Sequence, residues 1–247
     1  MRVLPVVLLV LLVAAGLGLQ QHLTRQIDLE GPHVLAAASD GGFYLATGTR
    51  LYRLDERERV VARYEAAQLG VGRFDSLLAG TQGRLWVYDS EARRVLVCDL
   101  PVPCTPFDAG QTAFSANAIL AERPAGQGLL LSDNRHHRLQ ALDAQGQVQS
   151  HPLQTGWRFP NQISAWQGDW LLADTDRRQL VKLVADAQGR PARRELFLQA
   201  EGRPYRFVVR PDGIWTVEAG LSLNDGQLYR YRDGRREAMP TGASDVG

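Results

Sequence analysis

The chain has 247 residues, of which 45% are apolar and 22% are charged, a composition that is ordinary for a soluble globular protein. The length would hold two average domains, but closed all-β folds often use it as one. Because the formal net charge is only +1, bulk electrostatics favour neither nucleic acid nor an acidic membrane surface as a partner.

The segment 1–21 differs in kind from the rest of the chain. Arg2 is followed by residues 3–19, none of which has a charged or strongly polar side chain. A positive start and an apolar run of this length are typical of a secretory signal peptide or of a signal anchor, which forms a transmembrane helix. Small residues at 16–18 offer a cleavage position, so both alternatives stay open. Either one predicts export to the periplasm of a Gram-negative-type envelope. The protein is then anchored in the inner membrane, or secreted if the segment is cleaved.

After this segment, one phrase of forty-odd residues recurs five times. Its clearest part is an apolar strand that ends in an acid or a small polar residue, at 42–47, 84–89, 128–133, 169–174 and 213–218. The terminal acids Asp89, Asp133, Asp174 and Glu218 follow one another at intervals of 44, 41 and 44 residues. A period of about 40 to 45 residues with several short strands per repeat predicts an all-β fold, namely a β-propeller with one four-stranded sheet per blade.

The two ends of the predicted propeller domain, residues 22–247, resemble parts of further repeats. Residues 24–31 have the pattern of the outer strand that closes each repeat, yet they precede the first complete repeat. Residues 243–247 resemble the start of another repeat. Propellers often close by letting an N-terminal strand complete the last blade. Five complete blades are therefore visible, and we expect a six-bladed ring whose last blade is truncated in this chain. A five-bladed ring with a redundant strand is the alternative.

Cys98 and Cys104 are the two cysteines of the chain and lie six residues apart. In an exported protein, such a close pair predicts a disulfide that holds one loop. The residues nearby lack the paired histidines that a zinc site would need.

Polar residues recur where the innermost strand of each repeat begins. His33, Asp75, Asn117, Asn161 and Tyr205 are spaced by 42, 42, 44 and 44 residues, and Ser244 follows Tyr205 after 39. Propeller symmetry would gather them, together with Arg206, around one mouth of the central channel. We expect a ligand to bind there. The alternative is that strand starts at a wet channel mouth are polar merely to satisfy water and the backbone.

Two stretches, 133–139 and 174–180, each contain an acid, a turn, an arginine and an apolar strand start. This phrase resembles the core of the NHL-repeat family of propellers, and the resemblance covers nearly everything from residue 30 onward. The family mostly provides interaction surfaces, so the resemblance implies a binding or scaffold module.

A second resemblance is to the gluconolactonase and regucalcin-like family of six-bladed, metal-dependent lactonases. Glu30-Gly31-Pro32 resembles the metal-ligand phrase of that family, and Asn117 and Asn161 stand where it has two ligand asparagines. The resemblance implies Ca²⁺ or another divalent cation on Glu30, Asn117 and Asn161, positioned to polarise a lactone carbonyl. Two departures stand against it. Pro204-Tyr205-Arg206 replaces the Pro-Asp-Gly of the family, and Gln162 replaces the glycine after the second asparagine.

The sequence thus predicts an exported, membrane-anchored and monomeric NHL-like β-propeller. Its expected partner is an envelope protein or a small-molecule ligand, with the membrane reached through the N-terminal segment and no nucleic acid bound. No residue is assigned a catalytic role and no cofactor is expected. The alternative function is a lactonase-like hydrolase with a divalent metal at the channel mouth.

Overall fold

The structure is a computed structural model that describes residues 33–80, 83–107, 114, 118–219 and 226–239. The described strands form five four-stranded antiparallel sheets, which we call blades 1 to 5. Blade 1 comprises β1 (His33–Ala37), β2 (Phe43–Thr47), β3 (Arg50–Leu54) and β4 (Val60–Glu65). Blade 2 comprises β5 (Phe74–Ala79), β6 (Leu85–Asp89), β7 (Arg94–Cys98) and β8 (Thr105–Pro106). Blade 3 comprises β9 (Ala118–Glu122), β10 (Leu129–Asp133), β11 (Arg138–Leu142) and β12 (Val148–Gln149).

Blade 4 comprises β13 (Pro160–Trp166), β14 (Asp169–Asp174), β15 (Gln179–Ala185) and β16 (Pro191–Gln199). Blade 5 comprises β17 (Arg203–Arg210), β18 (Gly213–Ala219), β19 (Gln227–Arg232) and β20 (Arg235–Ala238). Short 3-10 turns span Ala66–Leu69, Pro124–Gly126 and Thr175–Arg177. In every blade the strands pair in chain order, so each blade is a simple meander. The predicted all-β propeller repeat is confirmed for these five blades.

In blades 3 and 4, the third and fourth strands are joined by a turn built on an aspartate. Asp143 Oδ1 accepts hydrogen bonds from the backbone N–H groups of Gln145 and Gln147, at 3.0 and 2.9 Å. Asp186 accepts the equivalent bonds from Gln188 and Arg190. An aspartate that bonds the backbone two and four residues ahead fixes a tight turn, so these phrases end one strand and begin the next.

The core lies between blades rather than within one sheet. Buried side chains of consecutive blades interdigitate, and each cluster takes residues from two neighbours. Leu51 and Phe74 meet between blades 1 and 2, for example, and Leu171 and Phe207 between blades 4 and 5. All five residues of β6 and all five of β10 are buried. A strand that is covered on both faces reads as an unbroken apolar run, which explains why the repeat is clearest there.

A buried arginine joins blade 3 to blade 4 at the end of the inner strand β9. Arg123 follows β9 and is only 4% exposed. Its Nε donates to the carbonyl of Gly189 at 2.8 Å, its Nη1 to that of Leu142 at 2.8 Å and its Nη2 to that of Gln188 at 2.7 Å. Burial lowers the pKa of Arg123, and nearby Asp143 and Asp186 oppose that change. The charge is therefore held by carbonyl dipoles of two blades.

One apolar face of blade 1 has no described partner blade. Phe43, Leu45, Tyr52, Leu54 and Val60 form a cluster whose members all belong to that blade. Consecutive blades pack closely from blade 1 to blade 5, whereas no comparable contact joins blade 5 to blade 1 within the described residues. The outer face of blade 5 exposes Val208 and Val217. The described blades therefore end in two apolar faces. The sixth blade expected from the sequence does not lie among the described residues.

The predicted disulfide is confirmed. Cys98, the last residue of β7, is bonded to Cys104 across a loop of five residues. The backbone N–H of Cys104 donates to the carbonyl of Leu69 at 2.9 Å, so the bridged loop contacts the segment that leads from blade 1 into blade 2. Within the described part of the chain, no helix has the length and apolar character to cross a membrane. The predicted segment 1–21 lies outside that part.

Candidate functional site

The inner strands surround a cavity of about 600 Å³. Strands β1, β5, β9 and β13 each contribute four residues to its wall, and β17 contributes Arg206. All five inner strands begin at the same end of the cavity, which we call the entry mouth. The cavity is thus the central channel that the repeat predicts.

The pairing of inner and second strands sorts the wall into four layers, counted from the entry mouth. Each first-layer residue pairs with the residue that precedes the terminal acid of the second strand, or Thr47 in blade 1. The first layer contains Val34, Ser76, Ile119, Gln162 and Arg206, and the second contains Leu35, Leu77, Leu120 and Ile163. The third contains Ala36, Leu78, Ala121 and Ser164, and the fourth Ala37, Ala79, Glu122 and Ala165. The polar groups therefore lie mainly near the two ends, with apolar residues between them.

Three of the predicted channel-mouth residues occupy the same irregularity in their strands. The inner-strand ladder skips one residue between Phe74 and Ser76, between Pro160 and Gln162, and between Pro204 and Arg206. The skipped residues are Asp75, Asn161 and Tyr205. The equivalence inferred from their spacing therefore holds in space, although they lie within the inner strands rather than just before them. A β-bulge redirects the extra side chain away from the normal alternation.

Asp75 is engaged in local contacts near the entry mouth. Its Oδ2 accepts hydrogen bonds from the hydroxyl of Ser90 and from the backbone N–H of Ser90 at 3.4 Å. Its Oδ1 lies 3.2 Å from Nε of Arg73. These contacts tie the start of β5 to the turn after β6.

Asn161 lies between blades and is 1% exposed. Its Nδ2 donates to the hydroxyl of Thr175 at 2.8 Å, and its Oδ1 accepts from Nδ2 of Asn134 at 3.1 Å. Thr175 in turn donates to the carbonyl of Pro204 at 2.6 Å. The amide therefore belongs to a chain of hydrogen bonds that runs from blade 3 through blade 4 to blade 5.

Tyr205 and Arg206 stand together at the entry mouth. The Arg206 guanidinium lies over the Tyr205 ring, 4.9 Å from its centroid, and its Nη1 donates to the carbonyl of Asn161 at 3.1 Å. Water reaches the side chain from the channel, but the surrounding protein still desolvates the charge and lowers the pKa of Arg206. None of the described carboxylates lies within ion-pairing distance of this guanidinium. An arginine stays charged at neutral pH despite such a change, so the mouth has a fixed positive charge.

Gln162, the residue that replaces a glycine of the lactonase phrase, joins blades 4 and 5. Its Oε1 accepts from the backbone N–H of Phe207 at 2.8 Å, and its Nε2 donates to the carbonyl of the same residue at 2.9 Å. Nε2 also lies 3.1 Å from the hydroxyl of Ser164. The two hydrogen bonds between the Gln162 side chain and the Phe207 backbone thus join β13 to β17.

Glu122 is a channel residue that the sequence did not single out. Its Oε1 accepts a hydrogen bond from Nε1 of Trp86 at 3.0 Å. Gly80 passes so close that a Cβ there would lie 2.1 Å from that oxygen and 2.6 Å from the indole nitrogen. The carboxylate is therefore held by Trp86 and Gly80 of blade 2. Because these residues are distant in sequence, no pattern around residue 122 indicates the contact.

The remaining predicted site residues divide into described and undescribed groups. His33 begins β1, but its side chain is not described, and Glu30 and Asn117 lie outside the described residues. Of the metal set, only Asn161 is therefore placed. Within the residues that the structure describes, no three His, Cys, Asp or Glu side chains form a group that could hold a metal ion. The metal set stays a prediction.

Two of the repeated acids, Asp89 and Asp174, hold the loops that lead into blades 2 and 4. Asp89 accepts from the backbone N–H groups of Gly72 and Arg73 at 3.0 and 3.2 Å, and Asp174 from that of Arg158 at 2.7 Å. Asp174 also accepts from Nη1 of Arg177 at 2.9 Å, while burial raises its pKa. Glu218 accepts from the Tyr231 hydroxyl at 2.6 Å, and burial raises the pKa of that tyrosine to about 12. The hydrogen bonds of these three acids therefore stabilise the fold.

Comparison with solved structures places this architecture among known folds. The chain is similar to a streptogramin B lyase with a TM-score of 0.61 and 14% identity, over 86% of this chain and 70% of the lyase. A catalytically inactive virginiamycin B lyase from Staphylococcus aureus, solved with quinupristin, gives 0.59 and 11%, over 83% and 68%. A chain of a nidogen/laminin complex gives 0.59 and 14%, over 80% and 77%.

These neighbours are β-propeller proteins, and at such low identity the likeness shows the fold alone. No protein-family model matches the chain, and no curated protein matches it. The fold and the central channel together define this chain as a β-propeller protein.

Proposed function

We propose that this protein is an exported, membrane-anchored β-propeller that binds a small molecule in its central channel and acts as a binding module. The observation behind this proposal is the cavity of about 600 Å³ along the axis, which has the size of small-molecule pockets, about 300 to 1,000 Å³. Its wall is mostly apolar with a few polar groups at the ends, and this is the usual composition of a ligand site.

The exposure of the wall supports occupancy by a ligand. Leu35 of the second layer is 64% exposed, although it lies inside the channel wall rather than on the outer surface. A large apolar side chain that faces a water-filled space gains free energy when an apolar group displaces that water, at about 25 cal/mol per Å² buried. Covering Leu35 with an apolar ligand body is therefore favourable.

The assignment to NHL-like propellers is part of the proposal and is supported by acid–arginine contacts. In the two stretches that resemble the family, Arg138 Nε donates to Asp133 at 3.1 Å and Arg177 Nη1 to Asp174 at 2.9 Å. We do not extend the proposal to a metal-dependent hydrolase, because both polar groups of the Asn161 amide are bonded to Thr175 and Asn134.

Export and anchoring rest on the N-terminal segment and on the disulfide. Disulfides persist in oxidising compartments, and the Cys98–Cys104 bridge fits the periplasm. In cell fractionation, we expect the full chain in the inner-membrane fraction, with its propeller accessible to protease only after the outer membrane is opened. Recovery of the chain in the cytosolic fraction would refute this part of the proposal.

A sixth blade is proposed to cover the apolar faces that blades 1 and 5 present. If a further sheet packs there, Val217→Asp places a charge in that interface and lowers the free energy of unfolding by about 1 to 3 kcal/mol. Leu196→Asp is the matched control, because Leu196 is 60% exposed on the outer strand β16 of blade 4, which lies between two described blades. Equal, negligible effects of the two substitutions would mean that the blade 5 face is bare.

The channel-binding function can be tested by filling the channel. Ala165 is exposed to the channel in its fourth layer, so Ala165→Trp reduces the cavity without entering the core. Ala192→Trp on the exposed outer strand β16 is the matched control. In a thermal-shift screen of a diverse small-molecule library, we expect hits that stabilise the wild type and the control but not Ala165→Trp. Hits that stabilise all three proteins equally would place binding elsewhere.

A further inference from the structure

The first layer of the channel contains a positive charge without a described counter-charge. Only two charged residues lie in the described wall, Arg206 in the first layer and Glu122 in the fourth. They are separated along the strands by three residues, roughly 10 Å at about 3.3 Å per residue. Glu122 therefore does not neutralise Arg206, and no other described carboxylate is within ion-pairing distance of it.

Tyr205 and Asn161 hold the Arg206 guanidinium in place. The Tyr205 ring supports one face at 4.9 Å, and the carbonyl of Asn161 accepts one N–H at 3.1 Å. Asn161 is itself fixed by Asn134 and Thr175. A guanidinium has five N–H donors, and only one of those of Arg206 has a partner among the described residues. A charge that is already oriented loses less conformational entropy when a ligand binds.

We infer that Arg206 binds the carboxylate of an amphipathic small molecule whose apolar body extends into the channel. This inference rests on the proposed function and specifies its ligand class. The planar fork of an arginine matches a carboxylate with two parallel hydrogen bonds. Beyond it, Leu35 of the second layer and Ala37 and Ala165 of the fourth layer expose apolar surface to the body of the ligand.

The charges of the wall favour a monoanion over a phosphate-bearing ligand. A phosphate dianion needs more positive charge than one guanidinium supplies, and the described wall offers no second cation. A ligand with one carboxylate at the entry mouth and an uncharged body matches this single positive charge.

Calorimetric titration of the full chain with three probes tests the inference. The probes are 4-phenylbutanoate, its uncharged amide and 3-phenylpropylphosphonate, all in the same buffer and detergent so that partitioning cancels between variants. We expect the carboxylate to bind the wild type at least tenfold more tightly than the amide or the phosphonate. Arg206→Gln should remove this tenfold preference and leave amide binding within about twofold, and Arg206→Lys should give an intermediate preference because it keeps the charge but loses the fork.

Arg210→Gln is the matched control, since Arg210 lies on the same strand, is exposed and contacts Asp212 at 3.5 Å. It should leave all three affinities unchanged. Equal binding of acid and amide to the wild type, both abolished by Ala165→Trp, would overturn the carboxylate site and leave channel binding intact. Tighter binding of the phosphonate, or a carboxylate preference that survives Arg206→Gln, would also overturn it. Absence of binding by every probe would overturn this inference, whereas the thermal-shift screen decides the small-molecule function.

Discussion

Replacement of Arg123 by methionine tests how the blades are joined. Methionine keeps the apolar stem but removes the three donors that reach the carbonyls of Leu142, Gln188 and Gly189. The carbonyl of Gln188 lies beside an open surface cleft, so water can replace its partner. The other two carbonyls are left without a donor in a buried setting, at about 1 to 3 kcal/mol each.

Release of a desolvated charge offsets part of this loss, as the lowered pKa of Arg123 indicates. We therefore expect Arg123→Met to reduce the free energy of unfolding by about 3 kcal/mol. Arg123→Lys should lose about 2 kcal/mol, because one ammonium group cannot span three carbonyls in a fork. Arg135→Met on an exposed turn is the control and should stay within about 0.5 kcal/mol of the wild type.

Urea unfolding followed by tryptophan fluorescence measures these differences, provided that the slope with urea is the same for all variants. A stability of Arg123→Met within about 0.5 kcal/mol of the wild type would show that water satisfies all three carbonyls. Arg123 would then contribute nothing to the stability of the contact between blades 3 and 4.

Three further predictions concern Asn161, His151 and the disulfide. Asn161→Ala breaks the chain of hydrogen bonds between Asn134 and Thr175 and should lower the free energy of unfolding in urea by about 2 kcal/mol. An unchanged urea midpoint would contradict its structural role. Burial lowers the pKa of His151, with Arg123 and Arg190 adding to the effect and Asp186 opposing it. The unfolded chain therefore takes up a proton that the folded chain resists, and stability should fall as the pH drops below 6.5 towards the lowered value. His151→Leu should flatten that slope between pH 7 and 5 in urea titrations, and an unchanged slope would assign it to other groups. Replacement of Cys98 and Cys104 by serine should cost about 2 kcal/mol, since the closed loop is short. A thermal melt that does not change on reduction would contradict a stabilising role for the bridge.

Repeats and strands could be predicted from the sequence because the second strand of each blade is buried on both faces. The phrase at 169–174 coincides with β14, Asp169–Asp174, and that at 128–133 extends β10 by one residue. The two cysteines are close in sequence, so their pairing was equally readable. In each case the determining interaction is local or recurs with the period of the repeat.

The details of the site could not be predicted, because they depend on partners that are distant in sequence. Asn134 lies 27 residues from Asn161, and the carbonyls that hold Arg123 in blade 4 lie 65 and 66 residues away. The spacing correctly aligned Asp75, Asn161 and Tyr205, but it did not show that each lies in a bulge. A bulge depends on the register between two paired strands. The residues at these three positions are an aspartate, an asparagine and a tyrosine, and none of these residue types by itself indicates a bulge.

The shared bulge places a variable side chain near the start of the inner strand in three blades. A residue that the ladder skips contributes no regular hydrogen bond between its strands, so exchanging its side chain leaves the sheet intact. Acid, amide and phenol already occupy this one position in three blades. Substitution at this position can therefore change the contacts at the entrance without changing the strand pairing, although at Asn161 it also removes hydrogen bonds that join three blades.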